Sequence, residues 1–104
     1  SRQVFVSAVQ DADLEIRLSG LWGLMRISSV KDADLMLTQS LKEKGWGRTK
    51  ATAYCFELAE KLAKNGQIKE ARSIYIQIKQ SRLEKNEDYL RESADWGLTQ
   101  LQKT

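Results

Sequence analysis

Lys42, Lys44, Trp46, Arg48 and Lys50 bring four cations and an indole into nine residues around Gly45 and Gly47. That mixture suits recognition. The cations can grip a phosphate backbone or an acidic peptide, and an exposed indole can stack on a base or anchor a partner. The glycines do not make a nucleotide loop of it, because neither Gly-x-Gly-x-x-Gly nor Gly-x-x-x-x-Gly-Lys occurs. These five residues form the candidate partner-binding set. The competing reading is a solvated loop whose Trp46 closes over the core.

The rest of the chemical inventory is thin. Histidine is absent, which removes the commonest general base and metal ligand and the usual partner of a nucleophilic Ser or Cys. Cys55 is the single cysteine, so no internal disulfide and no thiolate metal cage can form. It sits among Tyr54, Phe56 and Leu58 on an apolar stripe, as a small buried hydrophobe would. Asp11, Asp13 and Glu15 lack the glycine and spacing of a calcium loop. The expectation is a protein that is not an enzyme and uses no cofactor or metal.

Net charge is +3, and the positive excess lies in residues 31–85. Such a balance permits an acidic partner without demanding one. Lys61, Lys64, Lys69, Arg72, Lys79, Arg82 and Lys85 are interspersed with Glu57, Glu60, Glu70 and Glu84, the pattern of a solubilising face. Glu57–Lys61 and Glu60–Lys64 stand in the favourable i,i+4 order. No stretch approaches the ~18 apolar residues that span a bilayer, and Ser1–Phe5 lacks the apolar run of a signal peptide. The opening residues read as the interior of a helix, so the segment is expected to come from a longer chain. Cysteine usage is of the reduced, cytoplasmic type.

Positioning falls to helices. Proline is absent, and the breaks come at Asp11-Ala12-Asp13, Ser28-Ser29, Lys44 to Gly47, Asn65-Gly66 and Asn86 to Asp88. Between them the apolar spacing is three to four, never two. The spacing predicts helices over about 2–10, 13–28, 31–43, 48–64, 67–83 and 88–102, with Asp13 an N-cap and Gly66 closing the fourth. Connections this short make consecutive helices antiparallel neighbours, giving hairpins over about 2–28, 31–64 and 67–102.

Two segments repeat. Ile16-Arg17-x-Ser19-x-x-Trp22-Gly23-Leu24 returns as Leu90-Arg91-x-Ser93-x-x-Trp96-Gly97-Leu98. Trp22 and Trp96 read as packing elements between hairpins, and the glycine beside each marks a close helix contact. Asp13, Ile16-Arg17, Leu21, Leu24 and Ile27 resemble the second helix of a HEAT-type repeat, and Glu87 to Ala94 resembles it again. Arg48, with Ala51 and Leu58, is a weaker third match. The three arginines fall 31 and 43 residues apart, around the usual repeat length of about 40. Leu58, Ala59, Leu62, Gly66, Ile68, Ala71, Tyr75 and Ile78 are similar to a tetratricopeptide unit, except that Leu83 stands where that family usually has proline.

The resemblance implies an all-α solenoid of about six helices, stacked as three antiparallel hairpins in a right-handed superhelix. It also implies that Arg17, Arg48 and Arg91 pair with acids of a neighbouring turn or repeat; Asp13 and Glu87 could instead pair within their own helices. The function expected of such a single domain is a non-catalytic scaffold for protein–protein interaction with a protein or peptide partner, monomeric in isolation and without membrane contact. The alternatives are nucleic-acid binding through a basic face, which needs residues 42–50 to converge with Lys61, Lys64 and Lys69, and an accessory domain of a larger enzyme.

Overall fold

The computed structural model describes residues 1–103. Among them the chain forms six α-helices and no strand: α1 (Arg2–Val9), α2 (Leu14–Arg26), α3 (Ala33–Lys42), α4 (Gly45–Lys64), α5 (Ile68–Ser81) and α6 (Asp88–Leu101). Short 3-10 turns, Val30–Asp32 and Lys85–Glu87, lead into α3 and α6. The helices begin and end for local reasons. Asp13 caps α2 by accepting the Ile16 N–H at 3.2 Å. Gly66, at φ +82, ends α4, and the next N–H, of Gln67, reaches back to the Leu62 carbonyl at 2.8 Å.

One boundary differs from the sequence expectation. Gly45, Trp46 and Gly47 belong to the first turn of α4 and not to a loop before Arg48. Gly45 takes φ +55 and completes the bend from α3 by itself, so the helix starts at once. At Gly47 a Cβ would lie 2.8 Å from Leu14 Cδ1, where the start of α2 leans on the start of α4. Glycines that read as turn residues are here one for a bend and one for a contact.

Consecutive helices pack against each other: α1 on α2, α3 on α4 and α5 on α6, with α2 also on α4 and α4 on α5. In the first pair Gly20 faces Ala8 and Val9 while Gly23 faces Phe5, the crossed order of antiparallel helices. The core between them is aliphatic, built from Leu21, Leu24, Met36, Leu58, Leu62, Ile74 and Ile78. The six helices together make a slab 39 × 32 × 14 Å in extent.

Small residues recur at one register. Gly20, Ala51 and Ala94, each three positions after its arginine, are all buried. At Gly20 the approach is backbone to backbone, since a Cβ would stand 2.7 Å from the Phe5 carbonyl oxygen and 2.8 Å from the Val9 nitrogen. Helix propensity alone makes Gly20→Ala stabilising by about 1 kcal/mol, whereas overpacking costs about 1–3 kcal/mol. Because backbone cannot swing aside, the clash should win. Thermal unfolding followed by circular dichroism should place Gly20→Ala several degrees below wild type, and an unchanged or raised midpoint would refute this packing.

Candidate functional site

Arg17, Arg48 and Arg91 occupy the same place, the first turn of α2, α4 and α6; all three do one job, and Arg17 and Arg48 do a second. One guanidinium edge satisfies carbonyls of the chain just before the helix. Arg17 Nη1 donates to the Asp11 and Ala12 carbonyls at 3.0 and 2.8 Å, and Arg48 Nη1 to Leu41 at 3.0 Å. Arg91 Nη1 donates to the Arg82 carbonyl and, at 3.2 Å, to that of Glu84.

The other edge reaches the next pair of helices. Arg17 Nε and Nη2 fork onto Glu43 at 2.7 and 3.1 Å, and Arg48 Nε and Nη2 fork onto Glu87 at 2.9 Å each. Among the described residues Arg91 pairs with Asp88 alone, within its own helix. Bidentate pairing of this kind fixes orientation as well as charge. Glu87 therefore pairs across helices and not with Arg91, while Asp13 is used as a cap.

Both acceptor carboxylates are buried, as is Asp32, which Arg2 holds in a third fork at 2.6 and 2.8 Å. The Arg17 hydrogen bonds keep the Glu43 carboxyl below its ordinary range against the opposing effect of burial, with Gln39 assisting. Arg2 does the same for Asp32, helped by the Ser29 hydroxyl. Sequence reasoning missed Glu43, Asp32 and Arg2. A usable signal was present for Glu43, since an acid precedes each arginine by four or five residues: Asp13, Glu43 and Glu87.

Arg82 was missed too. It is fully buried and meets hydroxyls in place of a carboxylate, those of Ser40, Thr52 and Ser81, and its Nε has no partner. Burial pushes its pKa down, and nearby Arg48 adds to that. Cys55 lies in the same polar pocket, its thiol pushed up to about 12 by burial although Ser40 opposes the shift.

The candidate basic set is spread over three depressions. Lys42 lines one with Arg17 and Glu43, of about 530 Å³. Lys44 and Arg48 line a second with Glu84 and Glu87, and Trp46 and Lys50 a third with Trp22 and Tyr54. Arg48 is committed to Glu87, and Lys50 Nζ sits 5.6 Å from the Tyr54 ring centroid. Lys42, Lys44, Trp46 and Lys50 are exposed. Lys44 and Lys64 flank opposite ends of α4, about 30 Å apart at the helical rise. The two basic sets therefore do not converge.

The tryptophans correct an expectation. Trp22 and Trp96 are 44% and 66% exposed and do not fill the space between hairpins. The rings seated against the adjacent glycines are Phe5 and Tyr75, each within one hairpin: Phe5 of α1 lies where a Cβ on Gly23 would stand, and Tyr75 of α5 where one on Gly97 would. One helical residue is a rotation of about 100°, so a glycine facing inward turns the preceding tryptophan outward. With Trp46 at 59% and Tyr89 at 53% exposure, α2, α4 and α6 present aromatic side chains along their outer side.

Between α4 and α6 that side opens into a groove of about 690 Å³, floored by Phe56, Tyr75 and Leu90 and walled by Tyr89 and Trp96. Glu57, Glu60 and Glu92 line it. Among the described residues none of these three carboxylates makes an ion pair, so neither Glu57–Lys61 nor Glu60–Lys64 closes. Among the described residues no metal-binding group of His, Cys, Asp and Glu assembles, and no helix is long and apolar enough to cross a membrane. Comparison with protein-family models, curated proteins and solved structures gave no match.

Two outcomes check this geometry. Asp32 and Glu43 have folded-state pKa values below their unfolded ones, so their stabilisation is complete above the unfolded values and is lost as pH falls through the folded ones. The urea midpoint should hold from about pH 7 to 5 and drop below about pH 4. Asp32→Asn/Glu43→Gln should be less stable at neutrality and lose less on acidification; a parallel decline would remove these pairs as the cause. Cys55 should resist Ellman's reagent in the native protein and react fully in urea, and prompt native labelling would contradict its burial.

Proposed function

We propose that this domain is a non-catalytic helical-repeat scaffold: three HEAT-like or tetratricopeptide-like hairpins stacked as a solenoid, holding a protein partner on the outer side of α2, α4 and α6. Recurrence supports the stacking. Two forked rungs, Arg17–Glu43 and Arg48–Glu87, each run from the first turn of one second helix to the residue just ahead of the next, or one short of it. The small residues Gly20, Ala51 and Ala94 share a register within the same helices. As an isolated unit the domain is monomeric in this reading.

The partner reading is carried by one observation, the exposed Trp22, Trp46, Tyr89 and Trp96 on the outer side of those helices. Large aromatics left in solvent mark interaction surfaces, because Trp and Tyr offer much contact area for few rotatable bonds. Trp22→Ser/Trp46→Ser/Trp96→Ser tests it. The triple variant should keep the circular dichroism of wild type, since all three side chains face solvent. In affinity capture from the native cell extract it should release the proteins that wild type retains. Identical retained sets would overturn the reading.

A further inference from the structure

We propose that the groove between α4 and α6 takes an extended basic segment of the partner protein, one in which lysine or arginine alternates with apolar residues. The inference rests on the protein-binding reading and names the chemistry of the partner.

The groove exists because the repeat fails at one position. Five residues after its arginine, α2 carries Trp22 and α6 carries Trp96, but α4 carries Ala53. Ala53 lines the groove, so the missing indole leaves open the space beside α6. Nor does α6 close that space, since its Gly97 seats against Tyr75 of α5. Phe56 and Tyr75 form a tilted pair at 6.0 Å in the floor, an apolar seat for the non-basic side chains of a peptide.

Charge selects the rest. Lys and Arg outnumber Asp and Glu by seventeen to fourteen over the chain, yet the groove is lined by Glu57, Glu60 and Glu92 and by no Lys or Arg. All three carboxylates are exposed and none is spent on an internal ion pair among the described residues. A nucleic-acid backbone would be repelled there, whereas a cation gains both the carboxylates and the faces of Tyr89 and Trp96. The Trp96 face already attracts an ammonium of this chain, with Lys103 Nζ 5.9 Å from the ring centroid. Trp22 does likewise with Arg26, at 5.0 Å.

The test is fluorescence anisotropy with a labelled heptapeptide alternating lysine and leucine, and the same peptide with glutamate for lysine. The lysine peptide should bind saturably and more tightly at low salt, and the glutamate peptide should not bind. Glu60→Lys/Glu92→Lys should weaken binding by about tenfold or more, and Trp96→Leu should weaken it separately. Asp34→Lys/Glu70→Lys changes net charge equally at exposed sites on α3 and α5 and should leave affinity within about twofold. No saturable binding, equal binding of both peptides, or equal loss in the Asp34/Glu70 control would overturn the groove assignment. Retention of the extract proteins by Glu60→Lys/Glu92→Lys together with their release by the triple tryptophan variant would overturn the groove and leave the scaffold standing. Unchanged retention by the triple variant would remove the scaffold reading itself.

Discussion

The constraint on which this fold depends is the double duty of an arginine at the first turn of a helix. Its guanidinium satisfies carbonyls just upstream and simultaneously chelates a carboxylate that belongs to the following pair of helices, as Arg17 does with Glu43 and Arg48 with Glu87. Five donors in a rigid fork make this possible, and lysine could not replace them. Because the carboxylates are buried, their partners are obligatory: without the fork each would be an ion taken out of water with too few donors. The pairs thus fix how one helical pair sits on the next more than they add bulk stability.

Around those pairs the packing follows from a choice between small and large. Where two helices must touch backbone to backbone, Gly20 leaves room; where a ring must enter, Gly23 and Gly97 admit Phe5 and Tyr75. Turning the glycine inward turns its tryptophan outward. The same economy that tightens the interior therefore produces the aromatic exterior, and a single alanine in that exterior opens the groove. The packed interior and the exposed aromatic side are two consequences of one helical register.

Much of the architecture was legible because it is local. Apolar spacing located six helices, Asp13 and Gly66 announced their own boundaries, and the arginines stood at repeat positions. What escaped was set by distant neighbours. Glu43, between two lysines, reads as part of a charged run until Arg17 is brought to it by the fold. Arg82 reads as one cation of a solvated face, yet Ser40 and Thr52, from two other helices, enclose it. Gly45 and Gly47 look alike in sequence, but the first takes positive φ at the bend while Leu14 leans on the second. The tryptophans misled because their equivalent repeat positions suggested packing between hairpins, whereas the glycine beside each faces inward and turns the indole out.

Each fork also has a direction. The base always comes from the earlier pair and the acid from the later one, so the two faces of a pair are complementary without being alike. Arg91 occupies the donor side of the last pair described, and Asp13 the acceptor position of the first. Two such surfaces of the same kind brought together would set guanidinium against guanidinium or carboxylate against carboxylate. A twofold-symmetric union through them is electrostatically disfavoured, and growth by the same chemistry can run only one way, like the poles of magnets laid in a row.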